Sequence, residues 1–150
     1  MTLISLGSLS IDVDVEGTRA AYASSPPVDP TCCNACATFL LAVKENQLPS
    51  ALVDVLRDIG IDLPRPVEAW GAPDGGFLQV WWPFVENARS TVTREQPIPL
   101  GQGQTLGVTT HYPQPAWGFS PDRDVPAIEF TWIGEALRQL ESRAWTPAPS

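Results

Sequence analysis

All three cysteines of the chain lie within five residues, in the segment PTCCNACA that begins at Pro30. Cys33 and Cys36 have the C-x-x-C spacing of thiol oxidoreductases, whose motif begins a helix where the helix dipole stabilises a thiolate. With Cys32 the pair offers three sulfur ligands, whereas structural zinc takes four. His111, the only histidine, is the candidate for a fourth ligand or for the base of a Cys–His nucleophilic pair.

The context of this motif argues against both chemistries. A proline-rich loop precedes the C-x-x-C, whereas a redox motif of this type follows the strand of a βαβ unit. The sequence contains no second C-x-x-C, and nothing in it places His111 beside the thiols. The preferred interpretation is therefore small, partly buried helix residues that stay reduced and hold no metal or cofactor. A thiol-redox or zinc-binding role for Cys32, Cys33 and Cys36, with His111, is the alternative.

Other signatures of catalysis are missing from the sequence. It has no G-x-S-x-G motif, and the glycines of 101–107 precede a predicted strand, whereas a phosphate loop opens a helix. Asp54 and Asp58 are four residues apart on the polar face of a predicted helix, where exposed acids are the usual arrangement. The sequence thus does not predict an enzyme.

Charge and composition exclude several classes of partner. The chain has 150 residues, which predicts one domain over 1–150 with a frayed tail at 145–150. Its net charge is −8 at pH 7, and its nine basic residues, of which one is a lysine, are scattered. Nucleic acid and anionic membranes are therefore poor partners, and a basic protein is favoured. With no signal peptide and no membrane-spanning apolar run, we expect a cytoplasmic protein.

Hydrophobic periodicity predicts the helices and the first strand. Residues 9–15 alternate between apolar and polar, which indicates a strand. Apolar residues then recur at helical spacing in 32–46, with Thr31 as the expected N-cap, and again in 50–60, with Ser50 as cap and Gly60 as the end.

Later segments complete the fold prediction. Strands are predicted over 67–70, 77–85, 104–112 and 127–132, with 77–85 as the central strand, and a last helix over 135–143. Helices and strands are segregated along the chain. This order favours an α+β fold, in which an antiparallel sheet of about five to six strands is covered on one face by a helical hairpin.

Adjacent tryptophans in the predicted strand 77–85 indicate a binding surface. Successive side chains on a strand point to opposite faces, so Trp81 and Trp82 cannot share one layer. Trp82 is predicted under the helices, and Trp81, in phase with Gln79, is predicted on the more accessible face. Trp81 and Gln79 are therefore the candidate binding residues, because aromatic side chains anchor protein interfaces.

Several short segments together resemble a family of small uncharacterised bacterial proteins. They are the Leu-Gly-Ser-Leu strand at 6–9, the Cys-x-x-Cys helix followed by Phe39, and three further stretches, DIGIDLPRPVEAWG (58–71), WWPFVE (81–86) and IEFTW (128–132). Arg65 stands where the family has lysine, and Pro83 where it often has histidine. The resemblance implies no activity.

The function expected from the sequence is a non-catalytic binding module. Acidity, six tryptophans and the lack of a catalytic constellation all favour an immunity-type or accessory protein that captures a basic partner.

Overall fold

A computed structural model describes residues 2–7, 9–87, 97–113, 115, 117–119 and 124–144. The predicted frayed tail at 145–150 lies outside these residues. In chain order the elements are β1 (Thr2–Leu6), β2 (Leu9–Val13), α1 (Val15–Ala23), α2 (Asn34–Lys44), α3 (Ser50–Ile59), β3 (Glu68–Gly71), β4 (Phe77–Pro83), β5 (Ile98–Gly101), β6 (Gln104–Thr109), β7 (Ala127–Ile133) and α4 (Glu135–Ala144).

The strands form two antiparallel sheets. β1 and β2 pair as a hairpin, and the other five strands form a sheet in the order β3-β4-β7-β6-β5. The predicted α+β class with an antiparallel sheet is confirmed. The prediction that 77–85 is the central strand is wrong, because β7 is in the middle. Both β4 and β7 have a neighbouring strand on each side, so both are hydrophobic. Hydrophobicity alone therefore could not show which of them is central.

Helix α2 begins later than predicted, and its cap is different. Its N-cap is Cys33, which has an extended backbone at φ −164°, and the side chain of Cys33 accepts from the N–H of Cys36. Thr31, the predicted cap, instead donates its N–H and its hydroxyl to the carboxylate of Asp29. Thr31 therefore belongs to a turn with Asp29 that precedes the helix, and the side chain of Cys33 caps the helix.

Helix α3 matches its predicted extent. Its N-cap is Pro49, without a side-chain hydrogen bond, so the predicted capping by Ser50 is wrong. Gly60 ends the helix as predicted, in the left-handed conformation at φ 93°. A Cβ atom at Gly60 would lie 2.9 Å from the carbonyl oxygen of Val15, so both backbone conformation and space favour glycine there.

Helix α1 was not predicted. The alternation of the first strand ends at Val13, and the carboxylate of Asp14 accepts the N–H of Gly17 at 2.8 Å as the helix cap. The helix then turns Thr18 inward, where its hydroxyl accepts the N–H of Val85. An aspartate followed by Glu16 in the first turn is a helix-start signal that the β alternation concealed.

The main hydrophobic core lies between the helices and one face of the five-stranded sheet, here called the inner face. Helix α2 packs against α4 and β3. Trp82 is fully buried on the inner face, and its ring meets that of Phe39 edge to face at 5.7 Å. Its indole N–H donates to the carbonyl of Leu63 at 2.9 Å. Across the described ranges, the helices are all too short or too polar to span a membrane.

Candidate functional site: a thiol cluster at the start of α2

The three cysteine sulfurs converge at the N-terminus of α2. The Sγ atoms of Cys32, Cys33 and Cys36 all lie within 4.8 Å of one another, and these residues are here called the thiol cluster. The sulfurs of Cys33 and Cys36 are 3.4 Å apart, in hydrogen-bond contact. All three thiols are free. The spacing seen in the sequence therefore becomes one compact group of sulfur atoms.

Local backbone geometry brings the sulfurs together. Because Cys33 is the N-cap and Cys36 is three residues later, both side chains lie over the first turn of the helix. The backbone N–H of Cys36 donates to the sulfur of Cys33 at 3.4 Å, which satisfies one of the free donors at the helix start. Cys33 therefore has a structural role as a cap and remains half-buried, within reach of a small reagent.

The adjacent strand holds the helix start in place. A Cβ atom at Gly71 on β3 would lie 3.3 Å from the Cβ of Ala35, so the first turn of α2 packs closely on this edge strand. Here the absence of a side chain at Gly71 permits the close approach. The packing turns Cys36 into the core and leaves Cys32 exposed, with Cys33 between them.

Burial also separates the thiols chemically. Burial, together with the hydrogen bond to Cys33 and the charges of Cys33, Cys32 and Glu68, raises the pKa of Cys36 from 9.0 to about 12. Cys36 therefore keeps its proton at neutral pH. The cluster combines one buried, protonated thiol with two thiols that solvent can reach, which is an arrangement suited to thiol–disulfide exchange or to binding a soft metal ion.

His111 is not part of this cluster. It lies just beyond β6, exposed, with its backbone N–H donating to the hydroxyl of Thr109. Two strands, β7 and β4, separate β6 from β3, the strand beside α2. The metal-ligand group found in the described part of the chain contains only the three cysteines. The Cys–His pair considered from the sequence is therefore not formed.

The opposite sheet face, here called the outer face, carries Trp81 and Gln79. The phase predicted for the two tryptophans is confirmed, since Trp82 is 0% exposed on the inner face. Trp81 lies on the more accessible of the two faces, as predicted, but its own side chain is 7% exposed, and its indole N–H donates to the carboxylate of Glu129 at 2.8 Å. Gln79 is half-buried and donates to the hydroxyl of Thr131. Their binding role stays a prediction.

Trp70 on β3 is an exposed aromatic side chain on the outer face. It is 50% exposed and stacks edge to face on Phe77, with ring centroids 5.5 Å apart. Phe77 pairs across the strands with Ile133, which is 53% exposed. Trp70, Phe77 and Ile133 are here called the outer patch. Sequence reasoning missed it, although the alternation of Glu68, Ala69 and Trp70 on a short strand was the available signal.

Comparisons with protein-family models, with curated proteins and with solved structures gave no match. The resemblance to small bacterial proteins therefore stays a prediction.

Proposed function

We propose that this protein carries out thiol–disulfide exchange, with Cys33 and Cys36 as the exchanging pair. The observation that carries the proposal is the 3.4 Å separation of their sulfurs at the first turn of α2. A disulfide needs its two sulfurs about 2 Å apart, so small side-chain rotations suffice to close the bond.

The two thiols have different roles in this proposal. Cys33 is half-buried, and its sulfur already accepts a backbone N–H, the type of bond that stabilises a thiolate. It attacks one sulfur of a substrate disulfide, forming a mixed disulfide and releasing the first substrate thiol with the proton that Cys33 has lost.

Cys36 completes the exchange. As it loses its proton, its sulfur attacks Cys33 and releases the second substrate thiol, which takes up that proton. Two protein thiols and one substrate disulfide thus become one protein disulfide and two substrate thiols. The reverse sequence reduces the protein pair, so the direction follows the redox poise of the surroundings.

Equilibration in glutathione buffers of graded composition tests the proposal. Free thiols are alkylated, and peptide mapping by mass spectrometry locates the remaining disulfide. We expect the Cys33–Cys36 disulfide in the wild type and equally in Cys32→Ser, the matched control. Cys33→Ser and Cys36→Ser should form only mixed disulfides with glutathione. If Cys33 and Cys36 both stay alkylatable in fully oxidised glutathione, or if Cys32 forms the internal disulfide, the proposal is wrong.

A second candidate function is the capture of a basic protein, which the outer patch supports. Trp70 and Ile133 are half exposed on one face of a chain whose net charge is −8. An apolar anchor on a chain of net negative charge suits a basic partner, whose attraction is screened by salt.

Affinity capture at low and high salt tests this second function. Wild type and Trp70→Ala are compared with Leu3→Ala, which removes another apolar side chain, 57% exposed and on a different sheet. We expect salt-sensitive capture of a basic protein by the wild type and by Leu3→Ala, with loss in Trp70→Ala. Equal capture by all three proteins would remove the outer patch from consideration.

A further inference from the structure

We propose that Cys32, Cys33 and Cys36 together bind one monovalent copper ion in a three-coordinate, all-sulfur site. This site goes beyond the exchange reaction, because exchange uses only Cys33 and Cys36 whereas the metal site requires Cys32 as well.

The types of ligand select the class of metal. Thiolates are soft ligands, which favour monovalent copper, zinc and iron–sulfur clusters over hard cations. The group of ligand atoms found in the described residues consists of three sulfurs and contains no carboxylate or imidazole. The chain has no fourth cysteine, and its one histidine lies beyond β6. Structural zinc and iron–sulfur clusters usually need four protein ligands, so an ion that accepts three is favoured.

The separation of the sulfurs fits such an ion. With metal–sulfur bonds of about 2.3 Å, three sulfurs in a trigonal plane lie about 4 Å apart. The cluster has its sulfurs within 4.8 Å of one another, with Cys33 and Cys36 at 3.4 Å. A spacing of about 4 Å lies between the 3.4 Å of the Cys33–Cys36 pair and the 4.8 Å limit that contains all three sulfurs.

The burial of the three residues also suits a metal site. Cys36 is 7% exposed and lies at the edge of the core, whereas Cys32 is exposed and Cys33 is intermediate. The ion therefore reaches the site through Cys32 and is shielded from water by Cys36 and the first turn of α2. Binding replaces three S–H bonds by three metal–sulfur bonds, releases three protons and leaves the copper in its monovalent state.

Copper binding and disulfide formation exclude one another at this site. A Cys33–Cys36 disulfide removes two of the three ligands, so an oxidised chain retains only Cys32. Reduced protein is therefore the form that binds copper, and an oxidising disulfide releases the ion.

Anaerobic titration of the reduced, full-length protein with Cu(I) tests the proposal, with bicinchoninate as a coloured competitor for the ion. We expect about one ion per chain, and X-ray absorption should show sulfur neighbours without nitrogen. Cys32→Ser, Cys33→Ser and Cys36→Ser should each weaken binding by more than about 100-fold, because losing even an outer-shell partner costs about 10–100-fold. Thr31→Ser, next to the cluster and without a change in thiols, is the matched control.

Cys32→Ser separates this proposal from the exchange function. It should lose copper while it still forms the Cys33–Cys36 disulfide in glutathione buffer. Unchanged copper affinity in Cys32→Ser would replace the three-coordinate site by a two-coordinate one and overturn the proposal. So would the absence of competition with bicinchoninate, or stoichiometric zinc bound by three sulfurs and a fourth oxygen or nitrogen ligand. None of these results bears on the disulfide assay, so the two proposals fail separately.

Discussion

The two faces of the five-stranded sheet differ in how their burial varies along β4. On the inner face Leu78, Val80 and Trp82 are all buried in the main core cluster. On the outer face burial increases along the strand, from half-buried Phe77 and Gln79 to buried Trp81 and Pro83. Trp81 is buried outside the main cluster, with Glu129 as its hydrogen-bond partner.

This contrast shows that one face of a strand is not a single environment. The inner face is buried throughout β4, where Leu78, Val80 and Trp82 all belong to the main core cluster. The outer face is closed at the Pro83 end and open at the Phe77 end, where Trp70 and Ile133 are half exposed. Alternation along a strand identifies its two faces but contains no information on this gradient.

The largest effect is expected at Trp82. Trp82→Ala should lower the free energy of unfolding by about 3–5 kcal/mol, because it removes a fully buried ring from the core and leaves the Leu63 carbonyl without its donor. Urea denaturation followed by far-UV circular dichroism measures the change. A loss below about 1 kcal/mol would mean that the inner face is not the main core.

Trp81→Ala should lower the free energy of unfolding by about 2–4 kcal/mol. This is less than the loss expected for Trp82→Ala but far more than the loss expected for substitution of an exposed side chain. The physical reason is the loss of a ring that is 7% exposed and of its hydrogen bond to Glu129. The same denaturation assay applies, with Gln79→Ala on the same face as control. A neutral Trp81→Ala would mean that the Trp81 end of the outer face does not contribute to the stability of the fold.

Tyr22 links α1 to the closed end of β4, since its hydroxyl donates to the carbonyl of Pro83 at 2.8 Å. Burial, then the charges of Tyr112 and Asp62, raises its pKa well above the ordinary 10.0. Because the pKa is higher in the folded state, the associated stability is fully present below pH 10 and is lost as pH rises above it. Tyr22→Phe should lower the free energy of unfolding by about 1 kcal/mol at neutral pH. It should also reduce the loss of stability above pH 10, because phenylalanine does not ionise.

Urea denaturation at several pH values between neutral and strongly alkaline measures the effect of Tyr22. Ionisation of Cys36 also lowers the free energy of unfolding, as pH rises from 9 toward the folded-state pKa of about 12. The comparison is therefore made in a Cys36→Ala background. An identical alkaline loss with tyrosine and with phenylalanine at residue 22 would mean that ionisation of Tyr22 does not limit stability.

Cys36→Ala should lower the free energy of unfolding by about 1 kcal/mol, because it removes one small buried group from the inner side of α2. Cys32→Ala, at the exposed end of the same cluster, should change it by less than about 0.5 kcal/mol. Thermal unfolding of both variants under reducing conditions provides the measurement. Equal losses would show that the packing of α2 does not distinguish the two thiols.

Of the three tryptophan substitutions, the one at the open end of the outer face is expected to have the smallest effect. Trp70→Ala should cost about 0.5 kcal/mol, since half of the ring is already in water and its main contact is with Phe77. Denaturation of Trp70→Ala beside Trp81→Ala measures the gradient directly. A larger loss at Trp70 than at Trp81 would reverse it.

Local pattern was sufficient for most elements of the fold. Helical spacing predicted α2, α3 and α4, alternation predicted β2, and a hydrophobic run predicted β4; β3, β6 and β7 were also predicted as strands. Helix α1 was not predicted, because its first residue, Val15, continues the alternation of β2. The signal that marks its start is the capping residue Asp14. The order of the strands could not be predicted from the sequence, because the interior strands β4 and β7 have similar hydrophobic content.

What the sequence determined by itself was the supply of chemical groups and their local spacing. Three thiols within five residues at a helix start, and two adjacent tryptophans on a strand, follow from the order of residues and from helix and strand geometry. Only the tertiary structure decided what surrounds each group. The packing of Ala35 on Gly71 turns Cys36 inward, and the closed end of the outer face buries Trp81. Exposure and pKa depend on neighbours that are distant in the chain, and no local pattern contains them.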